Sequence, residues 1–564
     1  MAVLAVGLIA LLGGVSCSHG RRERPNLVLI VVDTLRADHL GCYSYKGIET
    51  PHVDDLAAGG VLVENAVTNV PLTLPSISTI MTSTLPPTHG VHYNEGFALD
   101  DSALTLAEIL HGEGYQTRAV VGAVVLDSVN GISQGFDRYD DDFGEFTAYQ
   151  PHVKIVESQL SHTQRRAREV TDLGLRLVDS MVKERPFFLF LHYFDPHSPY
   201  DPPPPYSPAE NDLNEGPGEA ITRLYDGEIA YTDAEIGRLI DGLRERHLVE
   251  NTLIVLTADH GEGLGEHGEK SHGYLTYEGT MHVPLIYSMP GRLPANVEFS
   301  GLAPHVDIVP TILDILEIRW KGKYDLCGDS LFPFRDGKGA RFTYFEAAMT
   351  YIVFDWCALR GIRGARWKYI SAPREELYDL TSDPRERDNL IDVEPEVADS
   401  MRERLDTVLA STKIYHGGDG GREMSSGRGI INKPGFAERL KALGYVTAPE
   451  RLDSSYEEMF DRSLPDPKSM MEAHERSQAV LESIGIAEGL IRGGKYRECI
   501  QLLEGLEGTE DLEWTIRYTL GLAYMGISDR DRAEREFREA LASAPIGPGR
   551  VKIREALQAL EAGR

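Results

Sequence analysis

The chain has 564 residues, 42% of them hydrophobic, and 57 Lys and Arg against 88 Asp and Glu give it a formal net charge of −31. That length exceeds one ordinary domain and carries enough apolar material for a large core. The charge excludes nucleic acid as a partner, because backbone binding needs the opposite sign; an anionic substrate would need a locally positive site, most simply one holding a metal.

The chain opens MAVLAVGLIALLGGVSCSHG, an apolar run followed by small residues and a basic stretch. The run is short of the roughly 20 apolar residues that span a bilayer, so residues 1–24 read as an export signal. Val15, Ser16 and Cys17 resemble a bacterial lipoprotein cleavage site, which implies a periplasmic or envelope location and membrane attachment through a lipid on Cys17. Cys42, Cys327, Cys357 and Cys499 form no CxxC pair and no recognisable disulfide framework.

Asn26 to Val32, NLVLIVV, is a continuous apolar β-prone run followed at once by Asp33. A strand buried on both faces of a parallel sheet has this pattern, with its functional residue at the carboxyl end. A helix and short strand from Thr50 lead to NVPLTLPSISTIMTS, where Thr73 lies two residues before Pro75. Proline suits a first helical turn, and a helix start gathers unpaired N–H groups that favour an anion. That window alone also fits a threonine that only caps the helix. A polar loop, LPPTHGVHYNEG, follows.

Phe187 to Leu191 repeats the buried-strand pattern and delivers His192, Asp195 and His197; Thr252 to Leu256 repeats it again and delivers Asp259 and His260. Alternating strands and helices over about 300 residues predict a large α/β domain at 25–335, built on a mostly parallel sheet flanked by helices. Residues 336–412 read as a smaller antiparallel sheet subdomain, and 413–469 as a linker. From 470 to 564 the chain is all-helical. Leu520, Gly521, Tyr524, Ala533, Phe537, Ala540 and Pro545 there fit tetratricopeptide spacing, with a weaker repeat around Cys499 and Leu503. Such a tail packs on the enzyme or offers a surface to a protein partner.

Strand ends of an open α/β sheet converge on one crevice. Asp33, Asp259, His260 and the Thr73 oxygen make a sensible shell for a divalent cation, whether Mn, Ca, Mg or Zn. A cation at the Thr73 oxygen would favour its deprotonated, attacking form. One cation is the simpler arrangement; a second would need Asp195, His197 and His305.

The ordered segments VDTLRADHLGCYSY, TPHVDDLA, NVPLTLPSISTIMTS, LPPTHGV, DPHSPY, TADHGEGLGEHGEKSHG and ELYDLTSDPRERDNL resemble the sulfatase family of the alkaline phosphatase superfamily across roughly residues 24–410. The resemblance implies metal ligation by Asp33, Thr73, Asp259 and His260, and contact of His197 with the substrate or leaving group. It puts His272, or alternatively Lys270, where related hydrolases place a lysine against the ester oxygens, and Asn94 and His89 in the loop lining the pocket. The chain departs from the family at four positions. Val32 stands for a usual second aspartate, and Asp259–His260 replaces the common Asp-Asn pair. Thr73 stands where sulfatases carry the Cys or Ser that is oxidised to formylglycine, and Ile77 replaces the arginine that closes the pattern.

Threonine cannot yield that aldehyde. It is the nucleophile type of phosphodiesterases in the same superfamily, so the chain reads as a metal-dependent hydrolase of phosphate or phosphonate esters acting through a phospho-threonine, with His197 or His272 as general acid. The alternatives are a sulfatase lacking formylglycine, a phospho-alcohol transferase, and a scaffold that presents its helical tail.

Overall fold

The computed structural model describes residues 24–144, 163–209, 217–319, 326–335, 341–412, 455–504, 506, 512–544 and 548–562. The leader with Cys17 and residues 413–454 of the predicted linker lie outside them. Among the described residues the four cysteines form no disulfide, and no helix is long and apolar enough to cross a membrane.

The main sheet has eight strands: β1 Asn26–Val32, β2 Val61–Val67, β3 Gln116–Val120, β4 Arg138–Asp140, β5 Phe187–Tyr193, β6 Thr252–Ala258, β7 Leu285–Ser288 and β8 Val297–Pro304, in the order β4-β3-β5-β1-β6-β7-β2-β8. Only β7 runs against its neighbours. β1, β5 and β6 are adjacent, parallel and buried at every position. Helices cover both faces, so no alternation survives in their sequences and each reads as an unbroken apolar run. Their register sets Val32 beside Tyr193 and Ala258, which brings Asp33 and Asp259 out together at the carboxyl edge.

A second sheet, β9 Thr343–Ala347, β10 Leu359–Arg363, β11 Trp367–Ser371 and β12 Glu376–Asp379, is antiparallel throughout, in the order β12-β11-β10-β9. It is sewn to the first sheet beside the Thr73 segment, where Asn69 Nδ2 donates to Tyr344 O at 2.6 Å and Glu346 N–H donates to Asn69 O at 3.0 Å.

Beyond residue 454 the chain returns to this body before its helices begin. Tyr456, Met459 and Phe460 enter the main apolar core, and Met471 joins a cluster with Phe345 and Trp356. The helices from Pro467 to Ala562 share a separate core that contains Cys499, Leu503, Leu520, Tyr524, Ala533, Phe537 and Ala540. Apart from Pro545, which lies outside the described residues, the residues picked out by their spacing are thus buried positions.

Candidate active site

Thr73 is the first residue of the helix Thr73–Thr82, and Leu72, in extended conformation, occupies the cap position. Its hydroxyl is therefore not a capping group. It lies 3.4 Å from His260 Nε2, buried at 0% exposure. The helix start is held from two sides. Asn94 Oδ1 accepts the Leu74 N–H at 2.9 Å, and Ser76 Oγ donates to Asp259 O at 2.6 Å.

Asp259 uses one oxygen to fix the strand ends. Its Oδ1 accepts N–H bonds from Thr34 at 3.2 Å and His260 at 2.8 Å, while Oδ2 has no hydrogen-bond partner. Neither oxygen of Asp33 has one. The His260 Nδ1 sits 2.9 Å from the Gly261 carbonyl, which assigns the proton to that nitrogen and leaves Nε2 as a lone-pair donor. Nε2 is 3.6 Å from Asp33 Oδ1 and 3.5 Å from Asp259 Oδ2.

Donor atoms of Asp33, Asp259 and His260 all lie within 4.8 Å of one another, fully buried. Burial, with Asp259 and Glu262 nearby, holds the Asp33 carboxyl well above the usual carboxylate range. Burial also pushes Asp259 up to about 7, and burial and the neighbouring His272 hold His260 well below the ordinary imidazole value. Two buried carboxylates with open oxygens and a neutral imidazole form a donor set that lacks only positive charge. A divalent cation fits it.

The two candidate acids differ. Burial, then the neighbouring His272, brings His197 down to about 4; its Nδ1 faces Ser198 O at 2.6 Å and its ring stacks on Phe194 at 4.4 Å. His272 is also buried, which alone would lower it, but the Glu262 carboxylate 2.9 Å from its Nδ1 turns the balance and raises it above the ordinary value. Of the two, His272 holds a proton more readily. Its ring centroid is 4.4 Å from that of His260 and 5.1 Å from that of His197. Gly273 follows at φ +91, and a Cβ there would meet Met349 Sδ at 2.9 Å and Leu72 Cδ2 at 3.0 Å, so only glycine lets this loop close over the nucleophile segment.

Of the other expected site residues, Lys270 is exposed whereas His272 is buried. His89 spends both ring nitrogens on its own turn: Thr79 Oγ1 lies 3.1 Å from its Nε2 and Nδ1 accepts the Val91 N–H at 3.1 Å. Asn94 keeps a buried Nδ2 without a partner beside the Thr73 helix. The second cation set does not assemble. Asp195 is engaged by Arg166 at 3.0 Å and the Ala167 N–H, and His305 Nδ1 meets Ser76 Oγ at 3.2 Å behind the nucleophile helix. Glu262 is 1% exposed and also accepts the Tyr200 hydroxyl at 3.0 Å. Val32 and Ile77, where the family pattern carries charge, are at 0% exposure in the apolar core.

A mostly parallel sheet with a buried acidic and imidazole cluster at its carboxyl edge, closed by a smaller antiparallel sheet, defines an ester hydrolase of the alkaline phosphatase-like superfamily. Residues 25–318 match the family described as Sulfatase, and residues 265–412 match the one described as N-sulphoglucosamine sulphohydrolase, C-terminal. The chain belongs to the sulfatase family.

It is similar to the arylsulfatase of Clostridium perfringens, 27% identical over 463 residues that cover 68% of this chain and 92% of that one. The N-acetylglucosamine-6-O-sulfatase of Bacteroides thetaiotaomicron is 24% identical over 522 residues, covering 73% and 91%. Among solved structures, one in complex with its substrate D-glucosamine-2-N,6-O-disulfate superposes with TM-score 0.58 at 22% identity, covering 69% of this chain and 98% of that one. The phosphonate monoester hydrolase of Agrobacterium radiobacter gives TM-score 0.56 at 23% identity, covering 69% and 96%.

Proposed function

We propose that the protein hydrolyses a sulfuric ester with the Thr73 hydroxyl as nucleophile. The observation that carries this is the 3.4 Å approach of Thr73 Oγ1 to His260 Nε2, within the buried cluster of a sulfatase-family frame. Asp33, Asp259, His260 and Thr73 would hold one divalent cation. Bound there, the cation lowers the pKa of the hydroxyl and offsets charge on the ester.

Thr73 Oγ1, its proton released to bulk water before the attack, attacks the sulfur in line as the bond from sulfur to the departing oxygen breaks, and Asn94 Nδ2, fixed through Oδ1 by the Leu74 N–H, donates to a non-bridging oxygen. His272, kept cationic by Glu262, gives its Nε2 proton to the departing oxygen. His197, held neutral, contacts the leaving group as an acceptor. In the second half His272 takes a proton from water as the sulfo-threonine is cleaved.

A second reading, hydrolysis of a phosphate or phosphonate ester through a phospho-threonine, is favoured by one specific observation. Position 73 carries a secondary alcohol, and Ile77 lies at 0% exposure where a formylglycine site has arginine. Direct covalent attack by threonine needs no oxidised nucleophile. Turnover of matched aryl sulfate, aryl phosphate and aryl phosphonate by the metal-loaded protein tests the choice, with ³⁵S or ³²P label trapped on Thr73. Faster sulfate turnover supports the first reading and faster phosphorus-ester turnover the second; no turnover and no label overturns both.

The protein is further proposed to be exported and tethered through Cys17, with its helical tail as the surface for a protein partner.

A further inference from the structure

We infer that His192 is a positioning residue for Asp33: it aims the carboxylate at the cation by holding the oxygen that the cation does not take. The inference rests on the metal-dependent reading above.

His192 is the sixth residue of β5, paired in register with Val31, and it is at 0% exposure. An imidazole in the middle of FFLFLHY breaks a run that is otherwise apolar or aromatic. Side chains alternate along a strand. Tyr193, the next residue, turns its hydroxyl to Thr171 Oγ1 at 2.9 Å on the covering helix, while His192 turns the opposite way, toward Asp33. Neither ring nitrogen has a hydrogen-bond partner, and a buried polar group without a partner costs free energy unless function recruits it.

The two oxygens of Asp33 have different neighbours. Oδ1 faces His260 Nε2 at 3.6 Å, and Oδ2 faces His192 Nε2 at 3.6 Å. His192 stands outside the group whose donor atoms lie within 4.8 Å of one another, namely Asp33, Asp259 and His260. The donor atoms of that group therefore gather around one point without His192, whose Nε2 faces the far oxygen of Asp33. Its geometry suits the outer role: a neutral imidazole N–H directed at the second oxygen of a ligating carboxylate. A shift of about half an ångström brings 3.6 Å into ordinary N–H···O range. The Asp33 N–H already bonds to Tyr193 O at 2.9 Å, so β5 fixes both the backbone and the carboxylate of this ligand. Outer partners of this kind orient ligands and commonly change metal affinity by about 10–100-fold when removed.

The test is calorimetric titration of MnCl₂ into the chelator-stripped full-length protein, with ZnCl₂ and CaCl₂ in parallel. His192→Met, apolar and of similar length, should weaken Mn²⁺ binding by about 10–100-fold with the metal-free melting temperature unchanged. His192→Gln, whose amide N–H reaches the place of Nε2, should bind within about threefold of wild type. If His192→Met does not fold, His192→Asn replaces it, since its amide is one methylene short and should bind as weakly. Wild-type affinity in the Met or Asn variant, or equal loss in Gln, overturns the positioning role. Asp259→Ala separates the two levels of inference. If it abolishes binding while His192→Met does not weaken it, only this inference fails; if wild type binds none of the three cations, the metal-dependent reading fails with it.

Discussion

Thr73 Oγ1 and His260 Nε2 stand 3.4 Å apart although 187 residues of chain separate them. The contact exists because β1 and β6 emerge side by side while the Thr73 helix is pinned to the Asp259 carbonyl by Ser76. The hydroxyl is not the helix cap, since Leu72 occupies that position, and in the proposed reaction it is the nucleophile. Thr73→Ala should therefore lower kcat by at least about 10³-fold, with cation binding weakened far less, and Thr73→Ser should keep measurable turnover. Steady-state kinetics with calorimetry of the same preparations checks this. Turnover of Thr73→Ala within tenfold of wild type would remove Thr73 from the chemistry.

The open carboxylates make the metal-free protein sensitive to pH in a direction opposite to most proteins. Asp259 has its folded pKa pushed up to about 7 by burial, above the ordinary carboxylate value. Stability of the metal-free form is therefore highest below pH 4 in this respect and falls as pH rises through about 7, because the unfolded chain ionises more easily. Asp259→Asn removes that penalty, so at pH 8 the metal-free variant should be more stable than metal-free wild type by up to about 4 kcal/mol. With cation at 100 times its dissociation constant, wild type should gain about 2.7 kcal/mol and the variant almost nothing. Thermal melts at pH 5 and pH 8, with and without cation, give all four values.

Much of this centre was legible because strands buried on both faces leave an unmistakable apolar run, and Asp33 and Asp259 each follow such a run directly. The carboxyl-edge rule then brings them together before any coordinates are known. The β5 run likewise delivers His192, but a strand-end position does not tell which group its ring turns toward, so its approach to Asp33 stays hidden in the sequence. Glu262 and His89 share a different obstacle. Loop composition does not tell which way a ring or carboxyl turns, and one proved to orient His272 while the other braces a turn. The return of Tyr456 to the core was equally unreadable, since its partners Tyr344 and Glu346 are more than 100 residues away.

Glu262 should set the alkaline limit of activity. His272 donates a proton only while cationic, and the Glu262 carboxylate raises its pKa above the ordinary value against the effect of burial. The acid form is present below that pKa and is lost as pH rises through it. Glu262→Gln should move the alkaline limb of the kcat profile to lower pH, with KM little changed, and His272→Gln should abolish that limb together with most activity on esters of poor leaving groups. Activated aryl esters, which need less protonation, should suffer less. An unmoved limb in Glu262→Gln would assign it to another group.

The segment from Ser455 to His474 should behave as part of the catalytic body although the family match ends at residue 412. Ala358 N–H donates to Met459 O at 2.8 Å, Cys357 N–H donates to Pro465 O at 2.9 Å, and the Arg360 guanidinium lies 4.5 Å over the Phe460 ring. Phe460 itself is 7% exposed, so Phe460→Ala should cost about 3–5 kcal/mol, the usual loss for a buried aromatic side chain. Further on, the His474 ring sits 5.4 Å from that of Tyr274 and 4.9 Å from that of Phe354. Tyr274 is two residues past His272, so the first helix of the tail supports the loop that carries the proposed acid. Ending the chain after Thr412 should therefore lower both the melting temperature and kcat, whereas His474→Ala should lower kcat more than it lowers the melting temperature. Differential scanning fluorimetry and kinetics on the same samples distinguish these outcomes. A chain ending at Thr412 with wild-type melting and turnover would show that the helical tail is a separate passenger.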